Sequence, residues 1–217
     1  MKNRKDFFDI PALVSFDTTE ELESLKLPNP LVIQNWKEMK DRILVLDFEI
    51  GDMLMEYIRY IIQWNKEDKG LSKEDRKPIS IYIYSYGGDA DIMMTFIDTL
   101  KMSKTPIRLI NLGQACSAAA LIFMANTDNI TRLILKSARV LIHQGQAGLQ
   151  GQTNAVLDMA ENMRKNEEKI KTYVLENTTI TPKLYAKKKR EEWVLDAETA
   201  LKLGVCDKII EDIDELY

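Results

Sequence analysis

From residue 42 onward, short apolar runs alternate with longer stretches in which apolar residues recur every three or four positions. Residues 43–48 (ILVLDF) predict a buried strand. Leu54, Tyr57, Ile58, Ile61 and Ile62 then fall at the spacing of one helical face. The mostly charged stretch 66–77 (KEDKGLSKEDRK) predicts a surface loop. A second strand is expected over 79–84 (ISIYIY), ended by Gly87-Gly88. The next helix should open at Asp89 or Asp91, either of which can cap free N–H groups, and bury Met93, Phe96, Ile97 and Leu100. A third strand over 107–112 leads into GQACS (113–117) and a small-residue helix reaching residue 125. Then come a strand over 139–142, with His143 just past its end, and a helix over 153–176. That helix carries Val156, Met159, Ala160, Met163, Ile170 and Val174 along one side. A short helix over 196–203, stopped by Gly204, and a strand over 205–210 close the pattern.

Strands alternating with helices at this rhythm predict an α/β fold with a mainly parallel sheet of right-handed βαβ units. Working residues of such sheets collect at the carboxyl ends of strands. Residues 1–34 are polar and broken at Pro11, Pro28 and Pro30, so they are expected to be a weakly structured extension before a domain over 35–217.

Composition narrows the chemistry. The 217 residues suit one α/β domain, and 45% hydrophobic with 29% charged residues is ordinary globular usage. Two cysteines cannot form a disulfide framework or, alone, a Cys-rich zinc site. The single histidine excludes a His-rich metal centre, leaving only carboxylate-dominated metal sites, and any imidazole chemistry must use His143. A net charge of −4 provides no basic footprint for nucleic acid; the local run 183–190 (KLYAKKKR) is expected to be a solvated helix face. The longest apolar stretch, 118–125, is too short to span a membrane, and the N-terminus is a poor secretory signal. A soluble cytoplasmic protein with Cys116 and Cys206 free is the expectation, with no cofactor or metal.

Three features fall just past predicted strand ends: Gly87-Gly88, Cys116-Ser117 and His143. A serine at a helix start, with a histidine able to take its proton, is what nucleophilic acyl transfer requires. The glycines let backbone approach a substrate carbonyl closely, and their N–H groups with that of Ala118 can serve an oxyanion hole. Singly, each feature has a plainer role: an N-cap serine, a structural histidine, a glycine turn.

The segments YSYGG (84–88), GQACSAA (113–119), SARVLIHQ (137–144) and GLQGQ (148–152) occur in order. They resemble the N-S-P-G-G, G-x-A-A-S-M/A-A, N-S-R-x-M-I-H-Q-P and G-G-x-x-G-Q segments of the ClpP peptidases, the proteolytic subunits of ATP-dependent Clp proteases. KDRILVL (40–46) and ETALKLGVCD (198–207) resemble that family's K-D-R-I-I-F-L and closing E-A-x-x-x-G-L-I-D. The resemblance spans roughly residues 35–211. It implies a crotonase-like α/β subunit with a protruding helix and strand as a handle, the helix being 153–176. Stacked heptameric rings of identical subunits would enclose a proteolytic chamber. Ser117 would be the nucleophile, His143 the general base, and the N–H groups of Gly88 and Ala118 the oxyanion donors. Substrates would be unfolded polypeptides. No G-x-x-x-x-G-K-[ST] is present, so ATP dependence would come from a separate AAA+ unfoldase ring.

The family's third triad member is an aspartate in a D-x-x-R-D segment, and a gapless alignment from Tyr173 to Asp207 sets Lys188 at that position. A cation there cannot stabilise the imidazolium. Three outcomes stay open: a nearby acid (Glu191, Glu192 or Asp196) substitutes, a Ser-His dyad works alone, or the subunit is an inactive ring component. Tyr86 and Gly145 replace family prolines and Cys116 replaces an alanine, expected as a small buried residue rather than a nucleophile. A prophage-type relative that processes capsid proteins is a compatible variant. An acyl-CoA enzyme of the crotonase superfamily is a rival of different chemistry.

Overall fold

The structure, a computed structural model, describes residues 30–145, 148 and 150–216. The chain divides into two compact units, Met1–Lys37 and Glu38–Tyr217. The expected weakly structured extension lies, as far as residue 29, outside the described residues; 30–34 begin helix α1 (Pro30–Lys40), with proline at its first position.

Seven strands form one sheet in the larger unit. β1 (Ile43–Leu46), β2 (Ile79–Ser85), β3 (Ile107–Cys116), β4 (Ile130–Leu135) and β7 (Lys208–Ile210) lie side by side in that order, all parallel. β3 is four residues longer than its apolar run predicts, and it forks. Ile107 to Asn111 pair with β4, whereas Gln114 to Cys116 pair with β5 (Arg139–Ile142). β5 in turn carries β6 (Trp193–Asp196) antiparallel. At the fork, a Cβ on Gly113 would stand 2.7 Å from the Tyr84 ring, so only glycine fits without displacing it. The sequence pattern missed β4 and β6, and it drew the last strand too long.

One continuous core joins the sheet to α2 (Leu54–Glu67), α3 (Ala90–Met102) and α4 (Ala118–Phe123). α2 buries Leu54, Ile58, Ile61 and Trp64. The expected Ile62 instead lies 59% exposed, because the buried stripe turns toward Trp64. α3 opens at Asp89, whose carboxylate accepts from the N–H groups of Asp91 and Ile92, and its four expected apolar residues are all buried. α5 (Thr153–Asn177) fully buries only Tyr173, Val174 and Asn177, near its C-terminal end. Its N-terminal half extends away from the core, with Leu157 63% and Met159 45% exposed. This is the handle helix of the expected fold. Between it and β5 no strand occurs among the described residues; 146, 147 and 149 lie outside them. α6 (Pro182–Lys188), capped by the Thr181 hydroxyl, forms the basic run. α7 (Ala197–Lys202) follows, capped by Asp196.

Two ion clusters, one buried and one joining a buried arginine to an exposed carboxylate, tie distant segments together. Arg42, at φ 58°, donates to both carboxylate oxygens of Asp68 at 2.7 and 2.9 Å, and the Thr105 hydroxyl adds a bond at 2.7 Å. Asp68 is thus the buried exception in the charged segment 66–77, and Arg42 and Thr105 hold its carboxyl below the usual carboxylate range. Arg132 on β4 bonds Asp207 and the carbonyls of Asn177 and Gly204, pinning the end of α5 and the approach to β7. On the opposite sheet face, Ile110, Leu133 and Ile210 form a smaller apolar cluster against Leu216 of a final 3-10 turn, Ile213–Leu216.

Candidate active site

The fork in β3 brings the site together. Because Cys116 pairs with Leu141 in parallel, the next residue on each strand stands at the same sheet edge, and the Ser117 N–H donates to the Leu141 carbonyl at 2.9 Å. His143 is one residue past the end of β5, on the strand neighbouring Ser117. Both side-chain positions are half-buried. Among the described residues no hydrogen bond joins Ser117 to His143.

Ser117 has φ 54° and ψ −122°, a conformation that costs a non-glycine residue on the order of 1–3 kcal/mol. It turns the chain sharply from β3 into α4, whose residues Ala118 to Phe123 are all buried. Such a strained strand-to-helix turn thrusts a serine hydroxyl out of the sheet edge. As the first helical residue, Ala118 keeps an N–H with no intrahelical partner.

The glycine pair packs directly against this turn. Gly87 has φ 104°, and a Cβ there would lie 2.7 Å from both the Cys116 carbonyl and the Ser117 Cβ. Gly88, at φ 148°, forms a parallel bridge with Ile50. Ile50 donates to the Gly87 carbonyl and accepts from the Asp89 N–H, each at 2.8 Å. The pattern of a parallel bridge then turns the Gly88 N–H to the side away from Ile50. Among the described residues, neither the Gly88 nor the Ala118 N–H has an acceptor. Two open backbone donors therefore belong to segments that meet at Ser117.

Cys116 is 7% exposed, and burial pushes its thiol up despite the nearby Arg139. The thiolate, the form that attacks, is therefore disfavoured.

The structure sorts the candidate acids. Lys188, at the end of α6, forms an ion pair with Glu191 at 2.5 Å. The Asp196 carboxylate accepts from the Thr199 N–H at 2.7 Å as the cap of α7, which lowers its pKa. The ladder between β5 and β6 pairs Arg139 with Asp196 and runs to Ile142 with Trp193. Continued by one step, this register sets Glu192 opposite His143. Directly opposed residues of an antiparallel pair carry their Cβ atoms about 5 Å apart on one face. The sequence offered three acids without ranking them; the missing signal was β6, a four-residue strand whose partner cannot be read locally. Among the described residues no cluster of three or more metal-ligating side chains occurs, and no helix is long and apolar enough to cross a membrane.

Fold and site define a class: a parallel α/β subunit with a serine turn, a histidine and two open backbone donors at one strand-end edge. The chain belongs to the Clp protease family, whose family model matches residues 35–213. It is 33% identical over 174 residues to ATP-dependent Clp protease proteolytic subunit 2 of Bacillus licheniformis, covering 79% of this chain and 87% of the relative. Proteolytic subunit 1 of Shouchella clausii is 31% identical over 172 residues, covering 79% and 86%. Proteolytic subunit 2 of Treponema pallidum is 30% identical over 135 residues, covering 62% and 67%.

Proposed function

We propose that this chain is a serine endopeptidase that cleaves unfolded polypeptides. The observation carrying this reading is the β3–β5 pairing, which makes Ser117 and His143 neighbours beside the Gly88 and Ala118 N–H groups. His143 takes the Ser117 hydroxyl proton as Oγ attacks the scissile carbonyl, and the developing oxyanion accepts from the two N–H groups. His143 then gives that proton to the leaving amine. Water, deprotonated by the same imidazole, hydrolyses the acyl-enzyme and regenerates Ser117. Glu192 is the acid that orients His143 and stabilises its imidazolium; the β5–β6 register supports it over Glu191 and Asp196, which are otherwise engaged.

The assembly follows from the handle. Its apolar side extends beyond the core of the single chain, which supports ring-on-ring packing of identical subunits. The stacked rings enclose the chamber where cleavage occurs. A separate AAA+ unfoldase supplies ATP-dependent unfolding in this reading, which the relatives' naming as proteolytic subunits of an ATP-dependent protease supports, and the two free buried thiols suit the reducing cytoplasm. Labelling with a fluorophosphonate tests the chemistry. Ser117 should be the modified residue, and Ser117→Ala should abolish both labelling and cleavage of an unfolded protein. An assembled wild-type protein that takes up no label would instead be a non-catalytic ring subunit.

A further inference from the structure

His143 ends β5, and the next residue, Gln144, is tethered. Its side-chain Nε2 donates to Oε2 of Glu167 on the handle helix α5 at 3.2 Å. Glu167 is half-buried there, on the same helical face as the half-buried Met163, Ile170 and Lys171. Its charge also reaches α6: burial, then the charges of Glu167 and Glu168, push up the hydroxyl of Tyr185, which is 8% exposed. α6 leads through residues 189–191 into Glu192 and β6. One handle residue therefore touches the segment holding the proposed base and lies within electrostatic reach of the helix that delivers the proposed acid.

We infer that Glu167 is a positioning residue, a latch through which the handle helix holds the strand end carrying His143 in register with Glu192. The inference rests on the Ser117–His143 reading for its consequence in catalysis, but the latch itself is a contact between α5 and the residue after His143. Gln144 is exposed, so the bond contributes little to global stability. Its effect is local: without it, the two residues following β5 lose their only side-chain tether among the described residues. Displacement of the N-terminal half of α5 would then be transmitted to His143 by a hydrogen bond rather than through the core, since the residues that α5 fully buries all lie near its C-terminal end.

The single histidine makes a direct test possible. Diethyl pyrocarbonate reacts with neutral imidazole, so its rate of carbethoxylation, followed by ultraviolet absorbance on the intact assembly, reports on His143 alone. Glu167→Ala should raise that rate about fivefold. Glu167→Gln, whose amide oxygen can still accept from Gln144, should stay near wild type. Gln144→Ala should match Glu167→Ala, and the double variant should add nothing further. Fluorophosphonate acylation should fall by a similar factor in Glu167→Ala and Gln144→Ala, with an unchanged urea midpoint. An unchanged histidine reactivity in Glu167→Ala, or losses that multiply in the double variant, overturns the latch. If wild type takes no fluorophosphonate, the peptidase reading fails; the carbethoxylation rates still decide the latch.

Discussion

The sharpest test of the site geometry is Gly87→Ala. A methyl group at this position would stand 2.7 Å from the Cys116 carbonyl oxygen and from the Ser117 Cβ, and 3.0 Å from the Ala118 nitrogen. Ordinary contact begins near 3.4 Å, so about 0.7 Å of separation has to be found between two backbone segments. Neither yields easily. One side is the turn held by the Ser117 N–H bond to Leu141, and the other is the bridge to Ile50. The left-handed φ of 104° adds strain for any L residue, on the order of 1–3 kcal/mol. The stability loss should therefore be about 2–4 kcal/mol, which a domain of this size can absorb. The chemical loss should be larger in proportion. A displacement approaching 1 Å between nucleophile and oxyanion donors can cost about a hundredfold in rate. The measurements are the second-order rate of fluorophosphonate labelling and the urea midpoint on the same preparation. Labelling within a factor of three of wild type, in a variant that stays folded, would refute the placement of Gly87 against the Ser117 turn.

The remaining predictions address the acid and the two ion clusters. Glu192→Gln should lower kcat for peptide cleavage by at least about a hundredfold while leaving assembly intact, and Glu192→Asp should retain more activity; equal turnover by Glu192→Gln and wild type would remove it from the triad. Asp207→Ala leaves the Arg132 side chain, only 4% exposed, with two carbonyls and no counter-charge, so it should cost about 3 kcal/mol in urea unfolding. The Asp68 carboxyl has a native pKa below its unfolded value, so the unfolded chain binds more protons around pH 4. Its contribution to stability is present above the ordinary carboxylate range and disappears as pH falls through the depressed native value. A series of thermal midpoints from acid to neutral pH should show a shallower acid limb for Asp68→Asn, and parallel limbs would refute the assignment.

Much of the candidate site was legible because each piece is encoded locally. An alternating run of isoleucines and tyrosines ended by Gly87-Gly88, a small-residue helix starting after Ser117, and a histidine after the apolar triplet Val140–Ile142 all announce strand ends without reference to the rest of the chain. α3 illustrates the same point for the core: its 3.6-residue period and its Asp89 cap suffice to define it. β4 and β6 escaped for a different reason. Arg132 interrupts the apolar run of β4, and its charge is acceptable there only because Asp207, 75 residues away, answers it. In β6 the exposed Val194 and the capping Asp196 make four residues that look like a helix approach.

The sequence by itself determined the strand-end chemistry and the α/β alternation, because hydrophobic period, turn residues and caps act over a few neighbouring positions. Only the tertiary structure decided that β3 forks, so that the serine and the histidine share one edge, and that an antiparallel β6 runs alongside β5, ending at Trp193 opposite Ile142. Pairing register is a long-range property: it depends on which strands meet, and a shift of one residue reverses every side chain. The lone imidazole was visible from composition, whereas the proposal for its partners and the handle residue bonded to Gln144 came from register and packing.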